Sequence, residues 1–486
     1  MKIFSFQKHH KLSFLIALVL LVAQANFELM LPQIMSDIVD VGISQGGIDS
    51  AVPDTIRADD LSDIELFLDT AETDRVEASF SEPDTRGVRT FTGDASARAE
   101  LEDPMGEAEM LAYQFDQGVS LDRFIDASGA SSASGASGEA QAAAREQMEA
   151  AMGDTVETSD IRWLVEAGLI GRDDLVASRE ALVDSLGDNA DTVVRSRAIA
   201  YVERAYEDAG VDLTAVQSGY LWSQGLSMLG LALASALCAI LAALNASRTS
   251  AAIGRDLRHQ LYERVLDYSP AEMNRFSSAS LITRATNDIQ QIQMICVMCL
   301  RIVLFAPCMG IGAVVRVLAT PTGMEWILVV AIAAIAIAIG VLMGVTMPKF
   351  RIMQKLVDRN NLLAREIITG IMPIRAFGRQ EHEERRYDGA NRELTSTYIF
   401  TNRCMALLMP IMLIVMNGTT VAIVWFGAQG VDTGGLQVGT LMAYINYVMQ
   451  VIMSFMILTM ISVMLPRAGV AAERVQEVLD TRTSIS

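Results

Sequence analysis

The sequence predicts an all-α membrane protein with six transmembrane helices and long cytosolic helical extensions. It also carries an acidic extracytoplasmic insert, mainly helical and partly disordered. Three observations predict this. Six runs are apolar and long enough to cross a hydrocarbon core, which takes about 20 residues of helix. They are Leu12–Leu31, Tyr220–Leu244, Met294–Leu318, Trp326–Met347, Ala406–Phe426 and Leu441–Leu465. The charge is segregated: residues 45–218 hold 13 Arg, no Lys and 38 Asp plus Glu, a balance of −25 against −20 for all 486 residues. Most of the remaining basic residues fall in alternate connections, the pattern that sets orientation.

Connections 246–293 and 349–403 hold 6 and 11 Lys plus Arg, whereas loops 319–325 and 427–440 hold none. That alternation places both basic connections and both termini in the cytosol of a bacterial-type cell, and residues 45–218 outside. The acidic segment argues against nucleic acid as a partner, because phosphate is repelled.

In chain order, residues 2–10 read as a short interfacial helix, with Lys2, Lys8 and Lys11 ahead of the first apolar run. Ala23-Gln24-Ala25 resembles a signal-peptidase site. Cleavage there would leave an odd number of spans, against the charge alternation. The stretch DIVDVGISQG (37–46) closes the first span with glycines. Residues 49–120 are acidic with scattered apolar positions, and ASGASSASGASGEAQAAA (127–144) has the composition of a flexible linker. Helical spacing returns around 141–152, 158–169 and 191–208, with Ile161, Leu164, Val165, Leu169 and Ile170 on one pattern. This segment reads as a small helical module, with a solvated spacer as the alternative.

The two basic connections read as helical hairpins. In the first, RDLRHQLYERVLDY (255–268) ends at Ser269-Pro270, and the next helix starts after Phe276-Ser277-Ser278. In the second, a helix from about Lys349 runs to Gly370, Pro373 breaks it, and EHEERRYDGANREL (381–394) leads back. Helices this polar have little apolar face to bury and must meet something in the cytosol. The five Cys (238, 296, 299, 308 and 404) lie in or beside apolar runs, where packing is the expected role. Cys296 and Cys299 have CxxC spacing but no His or second Cys pair to complete a metal site.

These hairpins resemble the transmembrane domain of ATP-binding-cassette exporters, of the multidrug type. FSSASLITRATNDIQQIQ (276–293) looks like the family's F-S-x-G-x-L-x-x-R-x-x-x-D segment. GIMPIRAFGRQEHEERRYDGAN (370–391) looks like its second hairpin motif. VGTLMAYINYV (438–448) and AAERVQEVLD (471–480) are similar to the start of its sixth span and the exit toward a nucleotide-binding domain. LRIVLFAP (300–307) and PQIMSDIVDVGI (32–43) are similar as well. The likeness covers roughly residues 10–44 and 220–481 and skips the insert. Ala279 stands where the family usually has Gly, which restricts the turn.

The sequence has no G-x-x-x-x-G-K-[ST] loop, so it lacks the amides and lysine that hold ATP phosphates. ATP and Mg are therefore expected only through a nucleotide-binding domain, on a longer form of this chain or on a separate subunit. Truncation is the favoured expectation, because 471–480 already match a linker. The expected organisation is residues 1–44 as interfacial helix and first span, 45–218 as insert, 219–470 as spans two to six with their hairpins, and 471–486 as linker.

The resemblance implies coupling to that domain through Pro270, Arg275, Phe276, Ser277, Arg284 and Asp288 in the first hairpin. In the second it implies Phe377, Arg379, Glu381 and Glu384. Read without it, Arg284 and Asp288 are an i,i+4 surface pair, and the second hairpin is a polar face with one aromatic.

Methionines recur at helical steps in span five (Met405, Met409, Met412, Met416) and span six (Met449, Met453, Met456, Met460, Met464). Packing is one reading. A soft wall for a hydrophobic substrate, with Asn417, Asn446 and Gln450 adding hydrogen bonds, is the other. Glu28, near the outer end of the first span, reaches the interface or handles a cation, and Arg301 is a doubtful partner in depth.

The function expected is the permease half of an ATP-driven exporter, pairing with an identical or related second half in the bilayer and moving hydrophobic or amphipathic small molecules, or lipid or peptide, out of the cytosol. A membrane-anchored interaction protein, working through its acidic outer module, is the alternative.

Overall fold

A computed structural model describes residues 11–120, 155–156, 158–166, 171–187, 190–320 and 322–481. The expected interfacial helix at 2–10, the linker at 127–144 and the helix around 141–152 lie outside the described residues. Leu169 and Ile170 do as well. Among the described residues, six helical stretches are long and apolar enough to cross a membrane: Lys11–Ser44, Leu213–Leu266, Ser278–Ala319, Glu325–Thr369, Gln380–Asp432 and Val438–Thr459. Each contains or overlaps one of the six apolar runs. The chain is a multi-pass, all-α membrane protein.

Contacts divide the chain into two compact units. One comprises Met1–Met30, Ala232–Phe426 and Tyr444–Ser486; the other comprises Leu31–Leu231 and Gly427–Ala443.

The second unit contains the insert, whose described residues are folded. Strand β1 (Thr55–Arg57) pairs antiparallel with β2 (Val88–Thr90), placing Ile56 opposite Arg89. Around them pack helices α2 (Ala58–Ile64), α3 (Thr70–Ser79), α4 (Ala95–Asp116), α5 (Thr158–Glu166), α6 (Arg172–Leu186) and α7 (Ala190–Asp208). Their shared core includes Ile56, Leu61, Phe67, Leu101, Met105, Ile161, Leu164, Leu175 and Tyr201. Ile161 and Leu164, expected from their spacing, are fully buried.

The sequence reading assigns no element to residues 49–120, yet α4 runs for 22 residues there. The signal is present: Asp94 accepts from Ala97 N at 2.8 Å as the N-cap, and Leu101, Met105, Ala108 and Ala112 follow at helical spacing. Pro104 inside the helix obscures it. At α3, Asp69 and Glu72 close a capping box: Glu72 N donates to Asp69 at 2.6 Å, and Asp69 N donates to Glu72 at 2.9 Å. Buried Arg179 on α6 then donates to the same Glu72 at 2.8 Å and to the Phe67 carbonyl at 3.2 Å.

The first span does not stop at its first glycine. Its α-helix (Lys11–Asp37) continues as a π-helical turn, Ile38–Ser44, that includes Gly42. The chain turns at Gly46 and Gly47, whose φ angles of 61° and 84° suit glycine.

In the first unit the second hairpin differs from expectation in its break point. The helix Glu325–Thr369 ends at Gly370, and Pro373 sits inside the next short helix, Ile371–Ala376. Proline is tolerated there because first-turn amides have no partner within the helix. Gln380–Ala406 then returns, tied to the outgoing helix by Arg386–Glu366 at 3.0 Å and Arg359–Glu393 at 3.2 Å.

Candidate functional site

The first hairpin is built by two serine caps. The helix Leu213–Leu266 ends, and Ser269 starts Pro270–Arg275: its hydroxyl accepts from Ala271 N at 3.3 Å, and its own N–H donates to Glu272 at 2.9 Å. Pro270 occupies the first turn, where its missing N–H costs nothing. Ser277 then caps Ser278–Thr283, accepting from Ser280 N at 3.3 Å. Ala279 lies inside this helix and exposed, so the turn needs no glycine at that position. Pro270 and Ser277 are exposed as well.

Phe276, Arg284 and Asp288 point inward instead. Phe276 is 3% exposed and stacks on Tyr268 at 5.9 Å between centroids. The Arg275 and Arg284 guanidiniums lie 5.4 and 4.9 Å from its ring centre, within cation–π range.

Arg284 and Asp288 form the ends of a π-helical turn and reach the last helix, Val438–Asp480, rather than each other. Arg284 donates to the Arg474 carbonyl at 2.8 Å and meets the Glu477 carboxylate at 3.0 Å. Arg474 approaches Asp288 at 3.5 Å, Arg275 approaches Glu477 at 3.5 Å, and Tyr268 donates to the Val478 carbonyl at 2.7 Å. Beneath these polar contacts, Leu257, Leu261, Phe276, Leu281 and Ile289 pack with Ala471, Ala472, Val475 and Val478. The hairpin and the end of the last helix are one packed body.

Arg474 and Glu477 are functional candidates that sequence patterns alone did not single out. Their signal was present in AAERVQEVLD: two opposite charges three apart, bordering an apolar face of Ala472, Val475 and Val478.

The tip of the second hairpin is the reverse case. Phe377 is 82% exposed, beside Met372 at 74% and Ile368 at 73%. Gly378 has φ 61°, and the turn closes with Arg379 N donating to the Ile374 carbonyl at 2.9 Å. Arg379, Glu381 and Glu384 are all exposed, Glu381 pairing with Arg385 at 2.9 Å on the surface. An aromatic left in water at a rigid turn is available to a partner.

Among the membrane candidates the two methionine sets behave differently from continuous stripes. The helix is interrupted at Leu407, so Met405 belongs to Gln380–Ala406 and Met409 to Leu408–Asp432. Met409 is 56% exposed, Met412 is 3% exposed and Met416 lies between. Asn417 and Asn446 are exposed, Met453 is 41% exposed and Met456 is half-buried. Gln450 Oε1 is buried without a hydrogen-bond partner. The side chain of Met460 lies outside the described residues. Glu28 accepts from Gln24 at 2.9 Å and from Ser235 at 3.2 Å, and Arg301 is exposed.

The start of the sixth span is fixed separately. Buried Asp40 accepts from Gly439 N at 2.6 Å and Thr440 N at 2.9 Å, capping the helix Val438–Asp480. Among the described residues no group of three or more His, Cys, Asp or Glu is arranged to hold a metal ion.

Residues 216–455 match the ABC transporter transmembrane region family. The chain carries an ABC transporter membrane domain. It is 35% identical over 261 residues to an uncharacterized ABC transporter ATP-binding protein of Mycobacterium tuberculosis, covering 54% of this chain and 45% of that one. It is 30% identical over 262 residues to one of Bacillus subtilis, covering 54% and 46%. The chain thus spans about half the length of these curated relatives.

Within this ABC transporter membrane domain the matched region includes both hairpins and the span-five candidates, along with Asn446, Gln450 and Met453. The insert lies almost wholly outside the matched region, as does the other half of the first-hairpin contact, Arg474 and Glu477.

Proposed function

We propose that this membrane domain is the permease half of an ATP-driven exporter. Its spans work with a nucleotide-binding domain and a second membrane half, in a cell membrane with both termini cytosolic and the insert outside. The observation that carries this reading is the packing of the first hairpin onto the end of the last helix through Arg284, Arg474 and Glu477. A movement imposed on either element reaches the other as a rigid body, which is what force transmission requires.

Exposed Pro270 and Ser277 on one tip and Phe377, Arg379, Glu381 and Glu384 on the other are the surfaces for docking to the motor. Phe377 is the anchor, because a protruding aromatic contributes most to an interface when it fills a groove. Arg275, Phe276, Arg284 and Asp288 act one layer behind, holding the first tip to the helix that leads toward the motor. The relatives named as ABC transporter ATP-binding proteins support ATP acting through a nucleotide-binding domain, and Mg is what the exporter resemblance adds. No residue of this chain forms a phosphate loop, so no step of hydrolysis is assigned to it.

The translocation path is assigned to spans five and six, with a hydrophobic or amphipathic substrate against Met409, Met412, Met416, Met453, Met456 and Met460. Asn417, Asn446 and Gln450 provide polar contacts. The partnerless Gln450 oxygen supports this, since buried amide groups are costly unless something satisfies them.

Substrate-stimulated ATPase activity of the complex of this chain with its nucleotide-binding domain tests the reading. Stimulation by lipophilic cations or detergent-like compounds, lost in Phe377→Ala, is expected; a complex whose ATPase ignores every such compound sinks it. The folded core of the insert favours one further reading, an outer module that binds a partner, and binding by a complex inert in transport would bring it forward.

A further inference from the structure

The unit containing the insert has a cavity of about 270 Å³ between the π-helical turn of the first span, helix α7 and the loop before the sixth span. It is below the usual size of drug-binding pockets, which start at about 300 Å³, and suits a small molecule. Its polar groups are acceptors or adaptable hydroxyls and amides, among them Gln45, Glu203, Ser196 and Gln437; among the described residues no Lys or Arg lines it. Gln45 is 9% exposed, and its Oε1 is buried with no hydrogen-bond partner. The Glu203 carboxylate stands beside the Gly46 turn that follows Gln45. Ile199 and Leu436 supply an apolar wall.

We propose that this cavity binds a small aliphatic compound with a primary ammonium group. An ammonium offers three donors and no acceptor, the complement of this lining. Its charge is met by Glu203, its N–H groups by the Ser196 hydroxyl and by the Gln45 amide oxygen, which turns into the cavity on binding, and its short chain by Ile199 and Leu436. An anion is disfavoured, since nothing basic among the described residues lines the cavity. A hard divalent cation is disfavoured too, because it needs about six or more oxygen ligands. The other carboxylate at the cavity, Asp40, is already occupied by Gly439 N, Thr440 N, Thr440 Oγ1 and Ser36 Oγ. The inference is independent of the export reading.

Calorimetric titration of the purified full chain in detergent with putrescine, against the neutral isostere butane-1,4-diol, tests it. Salt of about 0.15 M screens diffuse attraction to the acidic insert. One saturable site is expected for putrescine and none for the diol. Glu203→Gln, at an exposed position that leaves folding intact, is expected to weaken Kd at least about tenfold, the factor that about 1.4 kcal/mol gives. Gln45→Leu, which keeps the side-chain volume and removes the acceptor, is expected to do likewise. Equal binding of the diol, a Kd unchanged in Glu203→Gln, or only unsaturable heat overturns the proposal. The last outcome would mean diffuse electrostatics, with ordered water satisfying Gln45.

Discussion

Arg284 joins the first hairpin to the last helix by two contacts of different kinds: a hydrogen bond to the Arg474 carbonyl at 2.8 Å and an ion pair with Glu477 at 3.0 Å. The two partners are not equivalent. The Arg284 side chain is 10% exposed and that of Glu477 is 44%. Arg284→Ala empties a largely buried site and takes one donor from the Arg474 carbonyl and from Glu477, which keeps Arg275 at 3.5 Å, a loss of about 1–3 kcal/mol. Glu477→Gln removes only a half-solvated charge, worth under about 1 kcal/mol. Thermal unfolding of the purified protein checks the ranking, and equal losses would refute it.

The two motif phenylalanines are expected to fail in opposite ways. Phe276 is 3% exposed and Phe377 is 82% exposed. Phe276→Ala empties a packed site between Tyr268 and two guanidiniums, and large core deletions of this kind cost about 3–5 kcal/mol. Phe377→Ala should change stability by less than about 0.5 kcal/mol, as for other surface positions. It should nevertheless abolish stimulation of the associated ATPase. Melting and ATPase measured on the same preparations separate the two effects.

Gly439 cannot be enlarged while Asp40 caps the sixth span. A Cβ there would lie 2.5 Å from the Ser36 carbonyl oxygen and 2.7 Å from the Asp40 carboxylate. Gly439→Ala must therefore displace one of them, and Asp40→Asn turns an NH₂ toward one of the two backbone donors. Each is expected to destabilise by about 1–3 kcal/mol, the cost of a buried polar group left unpaired. Urea unfolding gives the comparison, and a neutral Gly439→Ala would show that the cap is dispensable.

The insert should lose stability as pH rises from acid toward neutral. Burial, with Asp208 next, pushes the Asp60 carboxyl from its ordinary 3.8 up to about 6. Through that window the folded protein keeps a proton that the unfolded chain has released, so its contribution is complete below pH 3.8 and lost as pH passes 6. Burial, with Glu102 next, raises the Glu109 carboxyl well above its ordinary value, extending the loss to higher pH. Both Glu109 oxygens are buried without partners. Calorimetric melting across pH should show the fall, flattened in Asp60→Asn and flattened further when Glu109→Gln is added.

The six apolar helices and the first hairpin were legible from short-range properties. Apolar length and the serines around Pro270 act over a few residues, and these elements follow them. Helix α4 was legible in principle, from Asp94 and the Leu101–Met105–Ala108 spacing, but Pro104 masked it. Leu407 interrupts the span-five methionines for reasons that spacing alone does not carry.

By itself, the sequence determined that this chain has six helices long and apolar enough to cross a membrane, carries two polar hairpins and concentrates its acidic residues in one insert. Those outcomes depend on transfer free energy and local backbone preference, which are summed along the chain. Only the tertiary structure decided which motif residues face inward. FSSASLITRATNDIQQIQ reads as one exposed surface, yet Phe276, Arg284 and Asp288 are buried against a helix almost 200 residues later. A side chain's partner across such a distance is set by packing and by the need to satisfy buried charge. Neither leaves a periodic trace in the local sequence.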